Sequence, residues 1–171
     1  MVMTTDHPRG GTQGGAATAG ARYRLQTLSD SERDALLASR VSAMLAFVDG
    51  DGFPRLVPCW FLWDGAAFVI TSEPDKFHVR CLRRNPRASV GVETAEVGFD
   101  RLANRQVKGV GMVELFADAG HYWSQRIREK YLGPLDLPAP PTARTVIRLE
   151  PARLSAHGGG LRLASEAGQE G

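Results

Sequence analysis

Apolar positions between residues 25 and 156 recur in two different periods. VSAMLAFV, 41–48, is rich in apolar and β-branched residues and ends in DGDG, which predicts a strand entering a hairpin. The returning stretch FPRLVPCWFLWD, 53–64, contains Pro54 and Pro58, which lack an amide donor, so this strand is expected at an edge or irregular in part. Asp64-Gly65 forms a second turn signal before the strand AAFVITS, 66–72, so the opening strands read as a meander. ASVGVE, 88–93, RQVKGVGMVELFAD, 105–118, and RTVIRLEPARLSA, 144–156, supply three more strands, with Gly109 and Gly111 marking a bend or bulge.

Three segments follow the helical period instead. LSDSERDALLASR begins with Ser29 or Asp30 as cap, and Glu32 and Asp34 sit near the positive end of the helix. From 75 to 85, Phe77, Cys81 and Leu82 share a face ringed by Arg80, Arg83 and Arg84, and Pro86 stops the helix. AGHYWSQRIREKYLG places Trp123, Ile127 and Tyr131 at helical spacing and ends on Gly133. TAEVGFDRLAN, 94–104, reads as a polar loop at a site rim. The order predicts a mainly β fold, an antiparallel barrel or sheet with flanking helices. Residues 1–24 are expected to form a disordered tail and 157–171 a flexible one, apart from a short edge strand at LRL.

A length of 171 residues with 43% hydrophobic content bounds the chain to one domain, 25–156, with a real core. A net charge of +2 with acidic and basic residues interleaved argues against a nucleic-acid partner. No stretch is apolar enough for a membrane span or a secretory leader, and Cys59 and Cys81 show neither disulfide nor metal spacing, so a reduced, cytoplasmic protein without a metal is expected. The four histidines are scattered, and GVGMVELF lacks the glycine pattern of a dinucleotide loop.

The informative charge is local. Thr71, Ser72 and Lys76 stand where the third strand gives way to a helix, and hydroxyls, an ammonium and free helix amides together make a cradle for a phosphate. The same composition also suits a solvated basic helix. In CWFLW, 59–63, one face of the strand belongs to the core, and the other is free to meet a planar ring or a second subunit. A barrel this small fills its own interior, so a planar ligand would lie in an outer groove.

Taken in order, VSAMLAFVDGDGFPRLVPCWFLWDGAAFVITS, KFHVRCLRRNPRASVGVE, RQVKGVGMVELF and IREKYLGP resemble the pyridoxamine 5'-phosphate oxidase-like flavin-binding split barrels, which include the deazaflavin-dependent reductases. The resemblance implies a homodimer of six-stranded antiparallel split β-barrels with FMN, or coenzyme F-420, bound at the dimer interface. It gives Thr71, Ser72 and Lys76 the cofactor phosphate, with Arg80 as helper. It also puts Val57, Pro58, Cys59 and Trp60 along the ring and directs Gln106 at the cofactor. The chain departs from the true oxidases, which carry a serine, arginine, lysine, glycine run where this sequence has SEPDKFHVR, and it lacks their C-terminal arginine and histidine pair.

The expectation is therefore a flavin- or deazaflavin-dependent oxidoreductase acting on a small organic substrate, and not the vitamin oxidase. The anionic tail of the deazaflavin would suit Arg80, Arg83, Arg84 and Arg87, whereas FMN needs only the phosphate cradle and is placed ahead. The alternatives are a haem-binding or haem-degrading split barrel, with His78 or His121 as axial ligand, and a non-enzymatic flavin-binding module.

Overall fold

The computed structural model of the chain describes residues 22–97, 102–134 and 138–162. In chain order it contains β1 (Arg22–Thr27), α1 (Asp30–Ala38), β2 (Ala43–Val48), β3 (Pro54–Cys59), β4 (Leu62–Trp63) and β5 (Phe68–Ser72). α2 (Phe77–Arg84), β6 (Arg87–Val97), β7 (Leu102–Ala117), α3 (Tyr122–Leu132) and β8 (Thr145–Arg162) follow. The strands form one eight-stranded sheet, β3-β2-β6-β7-β8-β5-β4, with β1 also on β8, and the pairings are antiparallel. This is a split barrel with helices packed outside it.

The helices begin and end where local chemistry requires. Ser29 caps α1 in a reciprocal box with Glu32, which satisfies two otherwise orphaned amides. α2 follows an extended Lys76, buries Val79, Cys81 and Leu82, and ends at an extended Asn85, the conformation favoured before Pro86. Phe77, expected on the buried face, is instead 47% exposed. α3 stops at Gly133, whose φ of 87° suits a residue without a Cβ.

The stretch 53–64 is not one strand. Pro54–Cys59 pairs with β2, then the chain breaks at Trp60 and Phe61 and β4 crosses to β5. β3 is an end strand of the sheet, which is why two prolines are tolerated in it. β5 pairs with β8, so the expected meander is replaced by two hairpins at opposite ends of the sheet.

Phe61, Phe68, Leu45, Val90, Val107 and Ile147 are fully buried, and α1 and α2 add Leu37, Val79 and Leu82 to the same cluster. Burying each such side chain contributes about 1.5–3 kcal/mol, and the barrel interior is filled by its own residues. The expected irregularity in β7 is a register shift between Val110 and Gly111. A Cβ on Gly109 would stand 2.6 Å from the Phe68 ring, and one on Gly111 would stand 2.7 Å from the Glu150 carbonyl oxygen.

Two boundaries differ from expectation. Residues 22–24 belong to β1 and 157–162 to β8, and the two strands pair from Arg22↔Arg162 to Thr27↔His157. Backbone pairing therefore orders segments that side-chain burial alone would not, and the rest of both expected tails lies outside the described residues. The polar stretch 94–104 is not a loop over its described part: 94–97 and 102–104 continue the β6–β7 ladder, which runs to Val97↔Leu102. Among the described residues, no helix is long and apolar enough to cross a membrane. Nor do those residues hold a group of three or more His, Cys, Asp or Glu placed to bind a metal.

Candidate functional site

The break after β3 opens a seam, and the seam is a cavity of about 570 Å3. Val57, Pro58, Cys59 and Trp60 form one wall, Thr71 and Ser72 from the end of β5 another, and His78 from α2 stands between them. The opposite side is built by Ser124, Ile127 and Arg128 of α3, the segment Pro138–Pro141, and Arg144 at the entry to β8. The apolar and aromatic end is thus supplied by β3, and the polar, cationic end by β5, α3 and β8.

Hydrogen bonds fix the polar end. Ser72 is buried and its Oγ lies 2.8 Å from His78 Nε2. Burial, reinforced by the positive charge of Lys76, pushes the His78 imidazolium down, so the ring is neutral at pH 7. Arg144 donates from Nη2 to the Thr71 carbonyl at 3.0 Å, while its buried Nε has no hydrogen-bond partner among the described residues. Buried donors are rarely left unpaired, so this guanidinium is the kind of group an anionic ligand completes.

Behind Thr71, the buried Asp118 accepts from the amides of Trp123 and Ser124, each at 2.9 Å, and from the Ser124 hydroxyl at 2.6 Å. Ser124 Oγ is also 3.2 Å from Thr71 Oγ1. Arg128 donates to the Pro138 carbonyl at 2.6 Å and so ties the proline segment over the cavity.

The aromatic end is held from outside. Trp60 stacks on Tyr131, with ring centroids 4.7 Å apart and planes within 4°. Tyr131 donates its hydroxyl to the Val41 carbonyl at 2.7 Å and accepts from the Phe61 amide at 3.3 Å. Its neighbour Lys130 donates to the carbonyls of Leu37 and Phe61 at 2.8 and 3.1 Å, with Nζ 3.7 Å from the centre of the Phe61 ring. Burial pushes Lys130 down to about 8, which still leaves it charged at pH 7. Burial likewise pushes the Cys59 thiol up to about 12, so Cys59 is a neutral wall residue and not a nucleophile.

Six of the nine residues expected at a cofactor, Val57, Pro58, Cys59, Trp60, Thr71 and Ser72, line this one cavity. The other three do not line it within the chain. Lys76 is at the N-cap of α2 with its ammonium turned out to Glu73, 3.3 Å away. Arg80 is exposed and donates to the Asp75 carbonyl at 2.7 Å. Gln106 sits in β7 opposite Glu93 and His157, and β8 separates β7 from β5. Of the two histidines considered as haem ligands, only His78 lines the cavity. Ser124 and Arg144 carry no signal in the sequence, because their contacts with Thr71 of β5 cross more than fifty residues of chain, and Arg128 reaches the same cavity from α3.

A split barrel with a seam that is aromatic at one end and cationic at the other is the architecture of the pyridoxamine 5'-phosphate oxidase type. The sequence matches the pyridoxamine 5'-phosphate oxidase family over residues 29–158, and the chain belongs to that family. Among solved structures it is similar to an F-420 reductase, at 26% identity and a TM-score of 0.62, over 71% of this chain and 94% of that one. It is also similar to an FAD-binding protein from Mesorhizobium loti, at 25% identity and a TM-score of 0.59, over 78% of this chain and 97% of that one. An FAD and haem binding protein from Mycobacterium smegmatis shares the fold, at 22% identity and a TM-score of 0.63, over 82% of this chain and 73% of that one. A comparison with curated proteins finds no match.

Proposed function

We propose that the chain is a flavin- or deazaflavin-dependent oxidoreductase that uses the seam cavity as its cofactor site and acts on a small organic molecule. The observation that carries this reading is the junction in one cavity of the β3 wall with hydroxyls and an arginine whose buried Nε lacks a partner among the described residues. Thr71, Ser72 and Arg144 would hold the anionic end of the cofactor, helped by the first-turn amides of α2, whose N-cap residue offers no side-chain acceptor. Val57 to Trp60 would lie along its ring. This set replaces Lys76 with Arg144 as the principal cation.

A bound flavin or deazaflavin supplies hydride chemistry, and the protein supplies position, hydrogen bonds and exclusion of water. FMN is placed ahead of coenzyme F-420 because the cationic groups that line the cavity are few, Arg128 and Arg144, while Arg80, Arg83 and Arg84 are spread over the exposed side of α2.

The homodimer belongs to the same proposal. Leu56, Met44, Val110 and Met112 are 66%, 42%, 40% and 63% exposed. Cross-strand register places them on one face of β3, β2, β6 and β7, a patch of the kind that a second copy covers.

Purified protein would be titrated with FMN and with coenzyme F-420 by fluorescence quenching, with mass spectrometry of any molecule released on denaturation and sedimentation to give the oligomeric state. Saturable binding of either ring system by a dimer supports the proposal. A monomer without affinity for either refutes it. A Soret band in the absorption spectrum would favour the haem alternative, with His78 as ligand. Bound flavin that no nicotinamide nucleotide reduces and that turns over no quinone or nitro compound would favour a binding module.

A further inference from the structure

At the polar end of the seam cavity a buried hydroxyl meets an imidazole. Ser72, the last residue of β5, is 7% exposed, and its Oγ lies 2.8 Å from Nε2 of His78, the second residue of α2. Both line the cavity with Thr71 and Arg144, and the buried Phe47 of β2 packs against the His78 ring with centroids 6.2 Å apart. We propose that His78 takes up a proton from solvent when the cofactor phosphate settles against Ser72, and that the imidazolium so formed is the positioning group that turns the Ser72 hydroxyl toward the phosphate. The inference rests on the reading of this cavity as the cofactor site.

A hydroxyl carries one proton, so what it offers a ligand depends on its other partner. A neutral imidazole can accept at Nε2. Ser72 would then spend its proton on the ring and present only lone pairs to an anion. An imidazolium is protonated on both nitrogens, so Nε2 donates to Ser72 Oγ and the Ser72 proton is left for the phosphate. The resulting contact is charge-assisted, which makes it stronger than a bond between neutral groups.

The charges around His78 favour the same change. Arg128 of α3 and Arg144 at the entry to β8 stand across the cavity, and Arg55 of β3 is paired with Asp49 at 2.8 Å. Among the described residues no carboxylate lines the cavities that His78 borders. The charge that acts on the ring is Lys76, two residues earlier, and together with burial it keeps His78 neutral. A phosphate on Ser72 would stand one hydroxyl away from Nε2 and carry close to two negative charges at pH 7, which pulls a proton onto the ring instead of driving it off. Lys76 itself is turned out to Glu73, 3.3 Å away, so the cation missing from the β5–α2 junction is supplied by that proton.

Isothermal titration with FMN at about pH 7.5, repeated in two buffers of unlike ionisation enthalpy, counts the protons bound. The FMN phosphate loses its second proton near pH 6, so at that pH it is already dianionic and adds almost nothing to the count. The expected result is an uptake of roughly half a proton or more per FMN, with an affinity that falls as pH rises. His78→Gln keeps an amide that can donate to Ser72 but cannot titrate, so it should take up less and bind FMN with a flatter pH profile. Lys130 also titrates near pH 8 but is common to both chains, so the difference between them belongs to His78. FMN binding with no proton uptake, or with the same uptake in His78→Gln, overturns the inference and leaves the cofactor reading intact. The count on the parent decides by itself if the variant does not fold. Failure to bind FMN overturns the cofactor reading instead. Sulfate, a dianion that does not titrate in this range, then serves as the probe, and the absence of sulfate-linked proton uptake overturns the inference as well.

Discussion

Tyr131 lets the two roles of one side chain be separated, because its ring holds Trp60 and its hydroxyl holds the chain. Tyr131→Phe keeps the stack on Trp60 and removes the bonds to the Val41 carbonyl and the Phe61 amide. Leaving these half-buried groups short of a partner costs about 1–3 kcal/mol. Tyr131→Leu pays the same cost and also loses the stacked pair, worth about 0.5–1.5 kcal/mol. Urea unfolding should therefore rank the chains as parent, then Phe, then Leu, with Tm falling by roughly 2–4 °C per kcal/mol.

Cofactor binding should separate differently, since Trp60 is a wall of the inner cavity and Val41 is not. FMN affinity should stay near that of the parent in Tyr131→Phe and fall in Tyr131→Leu. A pH series adds an independent check. Burial pushes the Tyr131 hydroxyl up to about 12, so the stability it contributes is full below its ordinary value of 10 and is lost as pH rises toward 12. Tyr131→Phe should lack that alkaline loss. If both variants bind FMN equally well, or both lose it equally, the assignment of Trp60 as a wall held in place by the stack is wrong.

Other outcomes follow from single contacts. Gly109→Ala should destabilise by about 1–3 kcal/mol in urea unfolding, because its Cβ would collide with the buried Phe68 ring. Arg144→Met should weaken FMN binding by roughly one to two orders of magnitude, whereas Lys76→Ala should leave it nearly unchanged, since Lys76 faces Glu73 and not the cavity. Cys59 should resist iodoacetamide at pH 8 in the folded chain and react in urea, as followed by mass spectrometry. Lys130, held at about 8 against an ordinary 10.5, sheds its proton in the folded chain before it does so in the unfolded one. Its contribution therefore rises between pH 8 and 10.5, and the stability difference between parent and Lys130→Met should shift toward the parent across that window.

Much of the fold was legible because it rests on short-range signals. The Ser29 cap, the Gly133 stop, the DGDG hairpin and the bulge at Gly111 are each specified within a few residues. What could not be read was which strand pairs with which. The strand 66–72 looks like the third member of a meander, yet beyond the two-residue β4 its other neighbour is β8, and residues 73 to 144 lie between the two. The tail boundaries failed for a related reason: Gly158 and Gly159 bury little, but their backbones pair with Gln26 and Leu25 on one side and with Arg105 and Asn104 on the other.

The candidate site divides in the same way. Val57 to Trp60, Thr71 and Ser72 are carried into the cavity by the two strands they end, so strand position was enough to find them. The cradle at the strand-to-helix junction points to Lys76, and the family resemblance adds Arg80, but the folded chain puts Lys76 against Glu73 and Arg80 on the Asp75 carbonyl. Arg144 was invisible because its relation to Thr71 exists only once β8 has paired with β5.

The break at Trp60 joins fold to site. Pro58 has no amide to donate, and β3 belongs to the edge of the sheet, so the strand can leave β2 without abandoning a ladder on its far side. Phe61 then drops into the core while Trp60 stays 43% exposed on Tyr131, and the chain crosses to β5 within two residues. A continuous strand over 53–64 would keep successive side chains alternating across a single sheet and would leave no seam between β3 and β5. The cavity is therefore a consequence of strand rupture, and Lys130 and Tyr131 hold the rupture open by taking up the backbone groups of Phe61 that a continuous ladder would otherwise have paired.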